Sequence, residues 1–84
     1  MKISVTQHHL DIGVRGSCSS DPIALAMRDA GLERPHAGPT HLTWRKDFKD
    51  YSVETPGDVV SFMEIFDNEP RLSRPFCFFL LDEG

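Results

Sequence analysis

Catalytic signatures are what this 84-residue chain most plainly lacks. None of its four histidines (8, 9, 36 and 41) has a histidine four positions away, and neither an H-x-E nor an HExxH spacing occurs, so the helical zinc patterns are absent. No two acids stand at a spacing that reads as a hydrolase dyad. Cysteine is scarce: Cys18 and Cys77 are far apart and form no C-x-x-C pair. A disulfide between them stays open, but a secreted scaffold of this size carries more cysteines, so the chain reads as reduced and cytosolic. The longest apolar run, Phe76 to Leu81, is six residues. A bilayer span needs roughly 18–20, and no charged and apolar signal region follows Met1. Basic charge is also short, with nine Lys and Arg against thirteen Asp and Glu and a net charge of −4. Duplex nucleic acid is bound by neutralising phosphates, and nothing here supplies that overall, although local patches can. Together these absences predict a soluble cytoplasmic protein that is not an enzyme, uses no cofactor, and binds a ligand rather than transforming it.

What is present is a globular composition. Hydrophobic residues make up 39% and charged residues 26%, which excludes a disordered chain. The length suits one domain, 1–84. A chain this short buries only about 60–65% of the surface its unfolded form exposes, and self-association is a common remedy; a homo-oligomer is therefore expected.

The periodicities predict an α+β domain. Lys2 to Val5 alternates as a half-buried strand does, and Thr6 caps a short helix, Gln7 to Ile12, ended by Gly13. Val14 to Ser20 is a Gly/Ser loop. Asp21 as N-cap, Pro22 at the first helical position, apolar Ile23, Ala26, Met27 and Ala30, and Gly31 beyond them predict a helix over 22–30. Residues 33–39 read as a loop or a ragged start of a strand. Thr40 to Arg45 and Tyr51 to Glu54 form a hairpin around a charged turn, with Leu42 and Trp44 on one face. Thr55-Pro56-Gly57-Asp58 repeats the helix-start chemistry with Thr55 as cap, and Val59, Phe62, Met63 and Phe66 make the apolar stripe that follows. Phe76 to Leu81 is apolar on both faces, which predicts a central strand covered on both sides, with Cys77 buried and inert. The order β-α-β-β-α-β matches a ferredoxin-like split β-α-β, one antiparallel or mixed sheet with two helices on it.

Four groups of residues can carry chemistry. The loop around Arg15, Ser19 and Ser20 precedes the helix at Asp21, where free N–H groups and the dipole favour an anion; a plain capping loop is the alternative. Trp44 beside Arg45 offers a ring and a guanidinium on which a nucleobase stacks; a core tryptophan is the alternative. Arg74, with Arg71, forms a small basic loop that is otherwise a solvated turn. His8, His9 and His41 are weaker ligand candidates. Cys18 near a helix start, with His8 or His9 as base, is a possible nucleophile, but the negative charge of Asp21 opposes a thiolate.

The run Val5-Thr6-Gln7-His8-His9-Leu10-Asp11-Ile12-Gly13, followed by Cys18-Ser19-Ser20-Asp21-Pro22-Ile23-Ala24-Leu25-Ala26, resembles the start of a family of small uncharacterised phage proteins. Their usual pattern is similar to V-T-Q-x-x-I-x-x-G, a short loop, then C-x-x-C-P-I-A-L-A. Phe66-Asp67 and Arg74-Pro75-Phe76-x-Phe78 resemble its end, and the likeness is weakest over 33–54. Asp21 stands where the family has its second cysteine, so a cysteine-pair role does not transfer. The resemblance implies a phage origin and no particular activity. Phage proteins of this size include anti-defence sponges, which sequester cyclic dinucleotide or cyclic ADP-ribose signals without cleaving them; that likeness is one of context. It makes a small nucleotide the expected partner, with Arg15, Ser19, Ser20, Trp44, Arg45 and Arg74 as its contacts. The alternative is a module that inhibits a host defence enzyme through an exposed sheet edge.

Overall fold

The two helix starts that carry capping residues, Thr6 and Asp21, are where the chain first turns local chemistry into architecture. In the computed structural model, which describes residues 1–80, Thr6 caps α1 (Gln7–Ile12) in a reciprocal box. Its Oγ1 accepts from the His9 N–H at 3.4 Å, and its own N–H donates to His9 Nδ1 at 3.0 Å. Asp21 Oδ1 accepts from the Ala24 N–H at 2.8 Å and starts α2 (Pro22–Asp29). Gly31, at φ +97°, turns the chain out of α2 where a side chain would be strained.

Before α1 lies strand β1 (Lys2–Val5), and after α2 come β2 (Glu33–Ala37), β3 (His41–Lys46) and β4 (Lys49–Glu54). Helix α3 (Gly57–Asn68), a 3₁₀ turn at Pro70–Leu72 and β5 (Phe76–Phe79) complete the described chain. The α+β class stands, but the strands do not share one sheet. β1 pairs antiparallel with β5, and β2-β3-β4 form a separate antiparallel meander. The single ferredoxin-like sheet is therefore replaced by two small ones. The extra strand is β2, hidden in the sequence by Pro35 and by a bulge at Arg34, whose φ of +49° breaks the pairing between Glu33 and His36.

Three other expectations change. β5 is not central: among the described residues it pairs with β1 alone, Phe78 faces the core, and Cys77 and Phe79 face outward, Phe79 being 68% exposed. Cys77 is thus an exposed free thiol, as is Cys18; Leu81 lies outside the described residues. Thr55 does not cap α3. Its Oγ1 donates to the Gly38 carbonyl at 2.7 Å, tying the hairpin base to the loop after β2, and Pro56 occupies the cap position without a side-chain bond. The hairpin turn is also tighter than the charged run suggests: Lys46 pairs with Lys49 across Asp47 and Phe48, both in the left-handed region at φ +52° and +65°. Such turns prefer Asn-Gly, and a bulky residue there costs on the order of 1 kcal/mol.

The core draws on both sheets and on α2 and α3. Ile3 and Val5 from β1, Ile23 and Met27 from α2, Leu42 and Trp44 from β3, Val59, Phe62 and Phe66 from α3, and Phe78 from β5 are buried together. Gly13 lets α1 approach α2 closely: a Cβ there would meet Pro22 Cδ and Cγ at 2.7 Å and the His9 carbonyl at 2.8 Å. Among the described residues no helix is long and apolar enough to cross a membrane.

Candidate functional site

A two-residue turn between β3 and β4 fixes the register that builds the site. With Lys46 opposite Lys49, Arg45 meets Asp50, Trp44 meets Tyr51 and Thr43 meets Ser52. Directly opposite residues on one sheet face touch, and the Trp44 and Tyr51 rings stack at 5.6 Å and 8° between planes. Trp44 is the buried member of the pair and Tyr51 the half-buried one. Both line a depression of about 280 Å³ with the hydroxyl-bearing Thr43 and Ser52. Arg34, carried there by the β2 bulge, and Arg45 flank it, and Asp50 sits on the same rim.

Two features of this depression suit a polar ligand. Trp44 lines it, and the indole Nε1–H of that ring is buried with no hydrogen-bond partner among the described residues. An unsatisfied buried donor costs about 1–3 kcal/mol, which an acceptor brought by a ligand would recover. Neither guanidinium is held in a buried ion pair. Arg34 has no ion-pair partner among the described residues, and the half-buried Arg45 reaches the exposed Asp50 at 3.7 Å. A partly exposed pair of that kind contributes only ~0–1 kcal/mol and exchanges readily for phosphate.

The Gly/Ser loop is arranged differently from an anion cradle. Three of its backbone donors are used within the protein: the Ser20 N–H donates to Ser17 Oγ at 3.2 Å, the Asp21 N–H to the Ser17 carbonyl at 3.0 Å, and the Gly16 N–H to Asp67 Oδ1 at 3.4 Å. Arg15 donates to the Asp67 backbone carbonyl, and the Ser19 carbonyl accepts from Arg28. Asp21 and Asp67 line the same small depression with Cys18. Burial of Asp21 pushes its carboxyl up to about 7, the Ala24 N–H bond opposes that rise, and the negative charge of Asp67 adds to it. A pocket bordered by two carboxylates, one of them already resisting ionisation, repels phosphate.

The remaining candidates are scattered. His9 is buried and engaged on both ring nitrogens. Nδ1 accepts from the Thr6 N–H, which leaves the proton on Nε2, and Nε2 donates to Asp29 Oδ2 at 2.5 Å, bridging α1 to α2. Its part is structural. His8 and His41 are exposed and separate. Arg74 lies in another groove, between α3 and β5, with Nη1 donating to the carbonyls of Arg71 and Ser73.

Trp44 and Arg45 are thus brought together with partners that a linear reading does not supply. Tyr51 follows only from the two-residue turn, and Asp47-Phe48 carries no glycine to signal it. Arg34 follows only from the bulge, and the one hint is its place before Pro35. Among the described residues no group of three or more His, Cys, Asp or Glu is placed to hold a metal ion. Comparison with family models, with curated proteins and with solved structures finds no match for this chain.

Proposed function

We propose that this chain is a phage accessory protein of the anti-defence sponge type, which binds and sequesters a small phosphorylated nucleotide in the cytoplasm of an infected bacterium without cleaving it. The observation that carries the reading is a depression lined by Trp44 and Tyr51 and flanked by Arg34 and Arg45, beside which the Trp44 Nε1–H is buried without a partner among the described residues. The chemistry matches the parts of a nucleotide. Two guanidiniums take phosphate oxygens, the Tyr51 ring gives a stacking surface, the indole N–H meets a base or phosphate acceptor, and Asp50 accepts from ribose hydroxyls. The phage origin rests on the N-terminal pattern from Val5 to Ala26, and the sponge role on size and context.

Calorimetry against cyclic dinucleotides and cyclic ADP-ribose isomers tests it. At least one of these ligands is expected to bind, and Trp44→Phe, which keeps a ring but removes the N–H, is expected to weaken that binding by roughly 5–10-fold, the worth of one hydrogen bond. Absence of heat with every ligand refutes the reading.

The second reading, a module that inhibits a host defence enzyme, is favoured by one observation. β1 and β5 pair only with each other among the described residues, so each has an open edge, and Phe79 stands exposed beside it. A stoichiometric protein partner retained from host lysate, with no co-purified ultraviolet-absorbing small molecule, supports this reading over the first.

A further inference from the structure

Phe48 stands at the tip of the β3–β4 hairpin and is 91% exposed, the most exposed large apolar side chain in the described chain. It also occupies a left-handed backbone position at φ +65°, where glycine is the easy choice. Positions that keep an unfavourable conformation and an exposed aromatic together are characteristic of contact sites. The same molecule carries an apolar groove of about 420 Å³ between α3, the 3₁₀ turn and β5. Its walls include Phe62, Phe76, Ile65 and Leu72, the last two 43% and 54% exposed. The Ser73 hydroxyl, buried and without a partner among the described residues, lines it as well.

Phe48 does not fill its own groove, as its exposure attests. The length of β4 separates the tip from the start of α3, roughly 17–20 Å at ~3.3 Å per residue. A second copy supplies the match. Phe62 and Phe76 already pack with ring centroids at 4.8 Å and a 30° tilt, so a third ring extends an existing aromatic arrangement. Charge agrees when both signs are counted: Asp47 and Lys49 flank Phe48, and Arg74 and the exposed Asp58 line the groove, so each charge beside the knob has an opposite one in the groove.

We propose that the hairpin tip of one copy inserts Phe48 into the α3–β5 groove of a second copy. Knob and groove are different patches, so the contact closes as a reciprocal two-fold dimer where both insertions fit at once and otherwise runs head-to-tail into a ring or a short chain. This inference is independent of the nucleotide reading. The contact area of one hairpin tip is small, so the affinity is expected in the micromolar range.

Sedimentation equilibrium from low micromolar to near-millimolar concentration tests it. The wild-type mass is expected to rise with concentration. Phe48→Ser and Ile65→Glu are each expected to stay monomeric. Their equimolar mixture is expected to recover a dimer and stop there, because one variant keeps the groove and the other keeps the knob. Leu72→Glu replaces Ile65→Glu if circular dichroism shows that the latter fails to fold. Three results overturn the proposal: a wild type that is monomeric throughout, a Phe48→Ser variant that associates like the wild type, or a mixture of the two variants that stays monomeric.

Discussion

Replacing Asp21 by Asn separates two roles that one carboxyl now combines. Asp21 caps α2 by accepting from the Ala24 N–H, and asparagine does this as well as aspartate. Asp21 is also a buried acid whose folded-state pKa, about 7, lies above its ordinary 3.8, first because burial disfavours the charged form. The sign follows from the two protonation states. Below the unfolded value the group is protonated whether the chain is folded or not, and folding carries no penalty. Above the folded value it is ionised in both states, and the folded protein bears the full cost of a buried charge. Stability from this group is therefore lost as pH rises from about 4 to about 7. At ~1.4 kcal/mol per tenfold, the displacement amounts to an upper bound of ~4 kcal/mol, a large share of the ~5–10 kcal/mol that holds a small domain folded. Asp21→Asn cannot ionise. It is expected to match the wild type near pH 4 and to exceed it by roughly 2–4 kcal/mol near pH 8. Urea unfolding followed by the fluorescence of Trp44, the single tryptophan, reads the difference at each pH. A variant that keeps the wild-type pH slope, or that is the weaker protein near pH 8, refutes the argument and reduces Asp21 to a cap.

Two further substitutions test the backbone. Gly13→Ala places a methyl group 2.7 Å from the ring of Pro22 and 2.8 Å from the His9 carbonyl, so α1 must move off α2; a loss of about 2–3 kcal/mol by thermal or urea unfolding is expected, and a change under about 0.5 kcal/mol contradicts the close packing. Phe48→Gly relieves the left-handed aromatic and removes a side chain that packs on nothing in its own molecule. At concentrations too low for self-association it is expected to stabilise the fold by ~1 kcal/mol in the same assay, and a destabilised variant contradicts the strain.

The parts of the fold that were legible in advance are those whose signals are local. Asp21-Pro22 and Gly31 bracket α2 because capping and left-handed turns are chemistry of single residues. The alternation of Leu42 and Trp44 reports a buried face because a strand has a period of two. What was not legible depends on pairing across the chain. Phe76-Cys77-Phe78-Phe79 is apolar at every position, so its pattern cannot say that Cys77 and Phe79 face outward. β2 contains a proline and a left-handed arginine, both of which argue locally against a strand, and β3 overrides them by pairing. The site divides in the same way: Trp44 and Arg45 are neighbours in sequence, whereas Tyr51 and Arg34 join them only through register and bulge.

The pairing of β1 with β5 has a further consequence for how the chain is made. The Met1 amino group donates to the Leu80 carbonyl at 2.9 Å, joining groups 79 positions apart, and the strand pairing beside it closes the described chain on itself. Synthesis runs from the first strand to the last, so Ile3 and Val5 emerge long before Phe76 and Phe78 exist to pair with them. The three-stranded meander and α2 can assemble from near neighbours while the chain is still growing, but the two-stranded sheet waits for the final segment. The β1–β5 pairing closes the longest loop within the described residues, which makes it entropically the most demanding of their contacts. Until it closes, β1 presents an unpaired strand edge.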